Sequence, residues 1–426
     1  MKVGRWLFVS IMMFFVICVS QGYYNILRST YYGQSYPHDT FLSDPTGRFD
    51  DFSEVYLWGS LTLHGGNPYT DRYLNNFHFP ARLAGLEESY RPNLRQAPPS
   101  RSGYIPLANL IAAGFATWPA ATALLLFMVI VCDGCLAALM FQAQAMAWKD
   151  SLFFLAAVAP IVFLSYPFIF MLDRGNMEGL LLVASWFFLL LYKEKKPLAW
   201  LILAVAANIK PQMAALGILP LLAQDYRFLA KTAGGGLLIF LGSLMILPGP
   251  LQASWLGMKA GVGWSLAHLA DRETIENELR FTHTLFSLIA AGACHIGHKE
   301  WLLPLVKPVK ALSLMAGLSA LGISWRRRQD TPFEFQALVA VGIMLFLPPF
   351  SADYTLVHLL PILCLLIGKA LTTEPEATRR QKIAICLILL VLAPKQFFIG
   401  TTSFPYGLSF INGLALAGLL SLGATS

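Results

Sequence analysis

Apolar runs of about 15–24 residues recur along the whole chain, parted by short clusters of lysine and arginine. This pattern describes a polytopic α-helical membrane protein. Only 13% of the 426 residues are charged and 56% are hydrophobic, with a mean hydropathy of +0.58. Soluble chains carry roughly 25% charged residues. The first run, Trp6 to Leu27, follows Lys2 and Arg5 and so has the outline of a signal peptide. Its length and the lack of a small-residue cleavage site make it a retained first span.

Basic residues favour the cytoplasmic side of a membrane. Three clusters fix that side: Lys193, Lys195 and Lys196; Arg326, Arg327 and Arg328; and Arg379, Arg380 and Lys382. With Lys2 and Arg5 added, the chain reads as twelve spans with both termini cytoplasmic, at about 6–27, 120–143, 151–172, 177–192, 197–209, 211–224, 229–248, 308–325, 333–348, 354–371, 383–397 and 404–421. The net charge of +7 belongs mostly to these clusters, and no nucleic-acid partner is expected. Two apolar pieces, Tyr104–Trp118 and Thr284–Ile296, are left to lie on or dip into the outer face. Lys210-Pro211 divides one apolar stretch, because proline breaks helix hydrogen bonding. The result is either a hairpin of two short helices or one kinked span.

The outer face then collects two loops, 28–119 and 249–307, and turns at 174–176, 209–211, 348–353 and 395–403. Long loops without regular structure are usually functional. Asp50 and Asp51 open a stretch in which Val55, Tyr56, Trp58 and Leu61 can pack on the bilayer surface. Either carboxylate can cap the helix start or act as a general base toward a hydroxyl. Gly65-Gly66-Asn67-Pro68 ends that helix with a turn. Lys210, an ionisable residue in an apolar segment, is a functional candidate that could pair with a lipid phosphate or snorkel to the interface. Arg174, Asn176 and Glu178 form a polar cluster in which Arg174 could pair with Asp173 or Glu178. Tyr354 and His358 lie one turn apart below Pro348–Ser351. In the second outer loop the run Asp271 to Arg280 reads as a solvated face, with Arg280 and His283 directed toward the presumed site. Asp133 sits midway along a span, as a structural hydrogen bond or part of an ion path. Of six cysteines five fall in apolar runs, so Cys132 and Cys135 are no redox or zinc pair, and no cluster has metal-ligand spacing.

Several of these features in order resemble glycosyltransferase family 87 of the GT-C superfamily. Asp51-Phe52 is followed by Val55-Tyr56 and by Gly65-Gly66-Asn67-Pro68-Tyr69. Tyr104-Ile105-Pro106-Leu107 is similar to the family's Tyr-x-Pro-Leu element, and Gly175-Asn176-Met177 to its Gly-Asn element. Ala206-Ala207-Asn208-Ile209-Lys210-Pro211, running to Gln224–Arg227, resembles its lysine hairpin. The resemblance is carried by residues 1–235 of a single domain, 1–426, whose 236–426 half matches by topology and the 351–358 segment. Glu178 stands where the family usually has a small or amide residue, and proline follows Lys210 directly.

The resemblance implies a membrane enzyme that inverts configuration as it moves a sugar from a polyprenyl-phosphate donor to a lipid or glycan acceptor. The sugar most often inferred is mannose, and arabinose is the other candidate. Asp51, ahead of Asp50, would be the base, and Lys210 with Arg280 would meet the donor phosphate. Asn176, Arg174, Tyr104, Tyr354 and His358 would bind substrate. Fixed cations would make a metal cofactor unnecessary. The implied location is a bacterial-type inner membrane, with the site facing the periplasm or exterior. The competing readings are an envelope polysaccharide polymerase or ligase and a transporter or flippase. No internal repeat of two halves is visible to support transport.

Overall fold

The computed structural model of the protein describes residues 7, 9–19, 50–69, 104–268, 279, 282–348, 351–372, 378–393 and 407–426. Arg280, most of the 28–119 loop and the 395–403 turn lie outside the described residues, as do the side chains of Asp50 and Asp173. Among the described residues every named element is helical, with one isolated antiparallel bridge, Thr282 to Ala352. Among the described residues four helices are long and apolar enough to cross a membrane: Thr122–Ala143, Tyr226–Ile246, Leu302–Arg327 and Asp353–Thr372. A fifth results if Trp148–Leu164 and Tyr166–Leu172, bent by 54°, form one span. Shorter apolar helices fall in the 197–209, 211–224 and 333–348 segments of the twelve-span reading.

Burial separates the centre from the periphery. The apolar window of Asp353–Thr372 is 83% buried inside the protein, whereas that of Tyr226–Ile246 is 11% buried. The first is a post enclosed by other helices, and the second turns most of its apolar surface outward. An outward apolar face is costly in water and favourable in lipid. Ion pairs gather at one end of the post. Glu334, at the start of Phe333–Phe346, accepts from Lys193 Nζ at 2.9 Å and Lys369 Nζ at 3.0 Å. Arg327 and Arg380 both donate to the Thr425 carbonyl there. Glu178 lies at the other end of the helix that finishes with Lys193, so the basic clusters and the polar cluster around Glu178 are a helix length apart.

The helix Asp50–Leu63 departs from the expected surface position. Val55, Tyr56, Trp58 and Leu61 are all buried in the protein rather than laid on a bilayer surface. The helix packs on Pro106–Ala116, and Gly59 permits the contact: a Cβ there would lie 2.2 Å from the Ala112 backbone carbonyl. Tyr56 Oη donates to the Trp118 carbonyl at 2.7 Å and ties down the far end of the partner helix.

The Gly65 turn forms as expected. Gly65 adopts φ +82°, its N–H donates to Thr62 O at 3.1 Å and the Gly66 N–H to Leu61 O at 2.9 Å. This is the left-handed helix end that glycine favours. The next residues act as a clamp. Asn67 Nδ2 donates to Pro248 O and Ser254 Oγ, and Tyr69 Oη donates to the Tyr104 carbonyl at 2.7 Å. Asn109 Nδ2 donates to the same Tyr69 oxygen at 2.9 Å. Tyr104 is thus held through its backbone. Burial pushes the Tyr69 hydroxyl well above its ordinary range, so it stays a neutral donor.

Gly59→Ala tests the helix contact. It should cost about 1–3 kcal/mol through overpacking, lowering the melting temperature of the detergent-purified protein. Gly114→Ala, with open space around its Cβ position, should leave that temperature unchanged or raise it.

Candidate active site

Two features of local chain geometry build the polar cluster. Gly175 ends the helix Tyr166–Arg174 in the left-handed conformation, φ +62°. A Cβ there would lie 2.4 Å from the Phe52 Cβ. This close seat brings Asp51 beside Arg174, on the last turn of that helix, and Asn176, just beyond it. The second feature is Pro211. The residue before proline avoids the helical region, so Ala199–Ile209 stops there and Lys210 is extended at φ −145°, ψ 115°. A 3-10 helix, Pro211–Gly217, follows.

Arg174 holds Asp51 in a two-pronged ion pair, Nε to Oδ2 at 2.9 Å and Nη2 to Oδ1 at 2.6 Å. Asn176 Nδ2 donates to Oδ2 at 2.6 Å. The Asn176 Oδ1 accepts the Glu178 backbone N–H at 2.9 Å, so one side chain joins the first carboxylate to the helix that carries the second. Arg174 thus reaches a carboxylate 123 residues away, while Glu178 is held by other partners.

Glu178 is fully buried. Its Oε1 accepts from Lys210 Nζ and from Gln212 Nε2 at 3.1 Å. Its Oε2 meets His358 Nε2 at 2.9 Å, and His358 Nδ1 meets Ser185 Oγ at 3.0 Å. Burial works against the Lys210 charge, but the Glu178 carboxylate outweighs it and holds the ammonium above the ordinary lysine value. Tyr354 stands between the two ion pairs. Lys210 Nζ lies 5.7 Å from its ring centroid, its ring is 5.9 Å from that of Phe170, and Arg174 lies 6.0 Å from the Phe170 centroid. These are distances at which a cation gains from an aromatic face.

Of the residues singled out in the sequence, Asp51, Arg174, Asn176, Lys210, Tyr354 and His358 converge here. Tyr104 is engaged instead in the Tyr69 clamp. Glu178 becomes the hub of the Lys210 side rather than a local partner of Arg174. Gln212 and Ser185 were not foreseen. Ser185 follows Glu178 by two helical turns and so shares its face, which is the only local signal that linked them. Beyond Tyr354 a second buried group forms: His283 Nδ1 meets Asp353 Oδ1 at 3.2 Å, and Thr355 Oγ1 meets Ser351 Oγ at 2.7 Å. Asp133 stands apart from both, exposed on the outward side of Ala120–Ala143. Among the described residues no group of three or more His, Cys, Asp and Glu side chains is placed to hold a metal ion.

Helices throughout the described residues with outward apolar faces make this a membrane protein, and it carries a cluster of paired, largely buried charges. The sequence pattern of glycosyltransferase family 87 matches residues 103–349. The chain belongs to that family and is a membrane glycosyltransferase. No curated protein and no solved structure matches it. Arg174, Asn176, Glu178 and Lys210 fall inside the matched region; Asp51 falls outside it and is joined to it by the contacts above.

The Glu178–Lys210 contact should behave as one unit. Glu178→Gln or Lys210→Met alone leaves an uncompensated charge and should cost about 3 kcal/mol, the low end for buried pairs because Lys210 keeps 34% of its side chain exposed. The double variant should cost clearly less than the sum of the two in thermal unfolding. Additive losses would contradict the pairing.

Proposed function

We propose that the protein transfers a sugar, mannose first among the candidates, from a polyprenyl phosphate to a lipid or glycan acceptor by a single inverting displacement. In this reading the chain is a GT-C protein of twelve spans, and the site opens to the outer face of a bacterial-type inner membrane. The observation that carries the proposal is the arrangement around Asp51. A carboxylate oxygen has about two lone-pair positions. Among the described residues Oδ2 is filled by Arg174 and Asn176, while Oδ1 takes only Arg174 Nη2. One position on Oδ1 is left, on a side chain that keeps 16% of its surface exposed.

The acceptor hydroxyl would place its hydrogen there. As its oxygen bonds to the anomeric carbon, the bond from that carbon to the phosphate oxygen breaks and the hydroxyl proton passes to Asp51. The polyprenyl phosphate leaves with the bonding pair. Cations positioned where this charge develops lower the barrier most, and Lys210 lies against the Tyr354 ring and Arg174 against the neighbouring Phe170 ring. Lys210 is held in place by Glu178, which fixes the ammonium before substrate arrives and avoids reorganisation during the reaction. Arg280 remains part of the proposed phosphate site by its place in the sequence alone.

The test is Asp51→Asn and Asp50→Asn, assayed separately in membranes with a radiolabelled polyprenyl-phosphate sugar. Loss of a general base removes about 10²–10⁴ of rate, so Asp51→Asn should fall by that factor and Asp50→Asn should keep most of its activity. Full transfer by Asp51→Asn would overturn the assignment.

A further inference from the structure

The site leaves a charge question open. Arg174 and Lys210 are each already paired with a carboxylate, yet a lipid phosphate approaching through the bilayer needs a cation along its route. One stands nearby, on Leu302–Arg327, a helix from which the sequence offered no site residue. Lys310, near the start of Leu302–Arg327, is exposed and has no ion-pair partner among the described residues. It stands over a groove of about 460 Å³.

The polarity of this groove is graded. Gln212, Lys310 and Ser313 supply its polar side chains, and Lys310 and Ser313 lie one helical turn apart at one end. The rest of that wall runs through Leu314 and Leu318 to Leu321, opposite Ile343 and Leu347. From Lys310 to Leu321 the helix rises roughly 16 Å at 1.5 Å per residue. Gln212 also donates to Glu178 Oε1 at 3.1 Å, so the polar end of the groove is one side chain from the Lys210 pair. A second apolar groove, between Tyr226–Ile246 and Leu251–His268, is lined by Leu237, Phe240 and Trp255 among others and has no charged residue.

We infer that the Lys310 groove is where an isoprenoid phosphate docks, its chain lying along Leu314–Leu321 and its phosphate on Lys310 and Gln212 before it passes to Lys210. This rests on the polyprenyl-phosphate reading above and adds to it a location and a residue. Charge complementarity selects this groove over the uncharged one. An anionic head with a long apolar tail matches a cation above an apolar gutter, and desolvation at the lipid interface strengthens such a contact.

The test uses the full-length protein in vesicles of phosphatidylglycerol and phosphatidylethanolamine. The probe is a polyprenyl phosphate carrying a photoactivatable diazirine in its chain, with adducts mapped by mass spectrometry. Adducts should fall between residues 313 and 347, be displaced by unlabelled polyprenyl phosphate and resist the parent polyprenol, which lacks the phosphate. Lys310→Gln should lower labelling roughly tenfold, the loss of one charge-assisted contact. Leu318→Trp, on an exposed position, should block the gutter without disturbing the fold. Phosphate-dependent adducts confined to other helices, wild-type labelling of Lys310→Gln, or equal displacement by extra phosphatidylglycerol would each overturn the groove and leave the donor reading standing. Absence of phosphate-dependent labelling anywhere on the protein would overturn the donor reading itself.

Discussion

A carboxylate with no exposed surface, Glu178, organises this molecule. An ionised acid removed from water is stable only when paired and hydrogen-bonded. Glu178 meets that demand by drawing together three segments. Its own helix supplies Ser185 behind His358, the chain after Ala199–Ile209 supplies Lys210 and Gln212, and the start of the central post supplies His358. The Asn176 amide passes the link on to Asp51 and Arg174. Removing Glu178 would therefore release more than one ion pair, because the same contacts set the spacing between the proposed base and the proposed phosphate cations.

The backbone explains why this assembly sits at a helix rim. Three chain breaks, at Gly65, Gly175 and Lys210-Pro211, put polar residues just beyond helix ends, where backbone groups need partners in any case. Each has a local cause: a left-handed glycine in two cases and a pre-proline residue in the third. Rigid apolar helices below them carry no chemistry but fix the distances. Phe52 against Gly175 and Gly59 against Ala112 are contacts that allow almost no displacement.

These local causes were legible in the sequence. The Gly65 turn, the helix break at Lys210 and the helical character of Tyr104–Trp118 and Thr284–Ile296 all follow from glycine, proline and apolar patterning. The pairing of charges was not. Arg174 had two acids within a few residues, yet Asp51, on another helix, takes its guanidinium; Lys210 is matched across 32 residues by Glu178. Long-range contacts of this kind leave no periodicity. The placement of Val55, Tyr56, Trp58 and Leu61 failed for a related reason. An apolar helix face looks the same whether it meets lipid or Pro106–Ala116, and only the Gly59 contact distinguishes them.

If this cluster of paired charges performs one displacement at an anomeric carbon, with Asp51 taking the proton and fixed cations receiving the phosphate, the stereochemistry of the product records it. With purified protein, a polyprenyl-phosphate sugar of known anomeric configuration and a defined acceptor, NMR of the product reads the outcome. A single displacement predicts a product of inverted configuration throughout the time course. A product of retained configuration would contradict a single displacement, since retention by two displacements needs an enzyme nucleophile, whereas Asp51 acts here as the base.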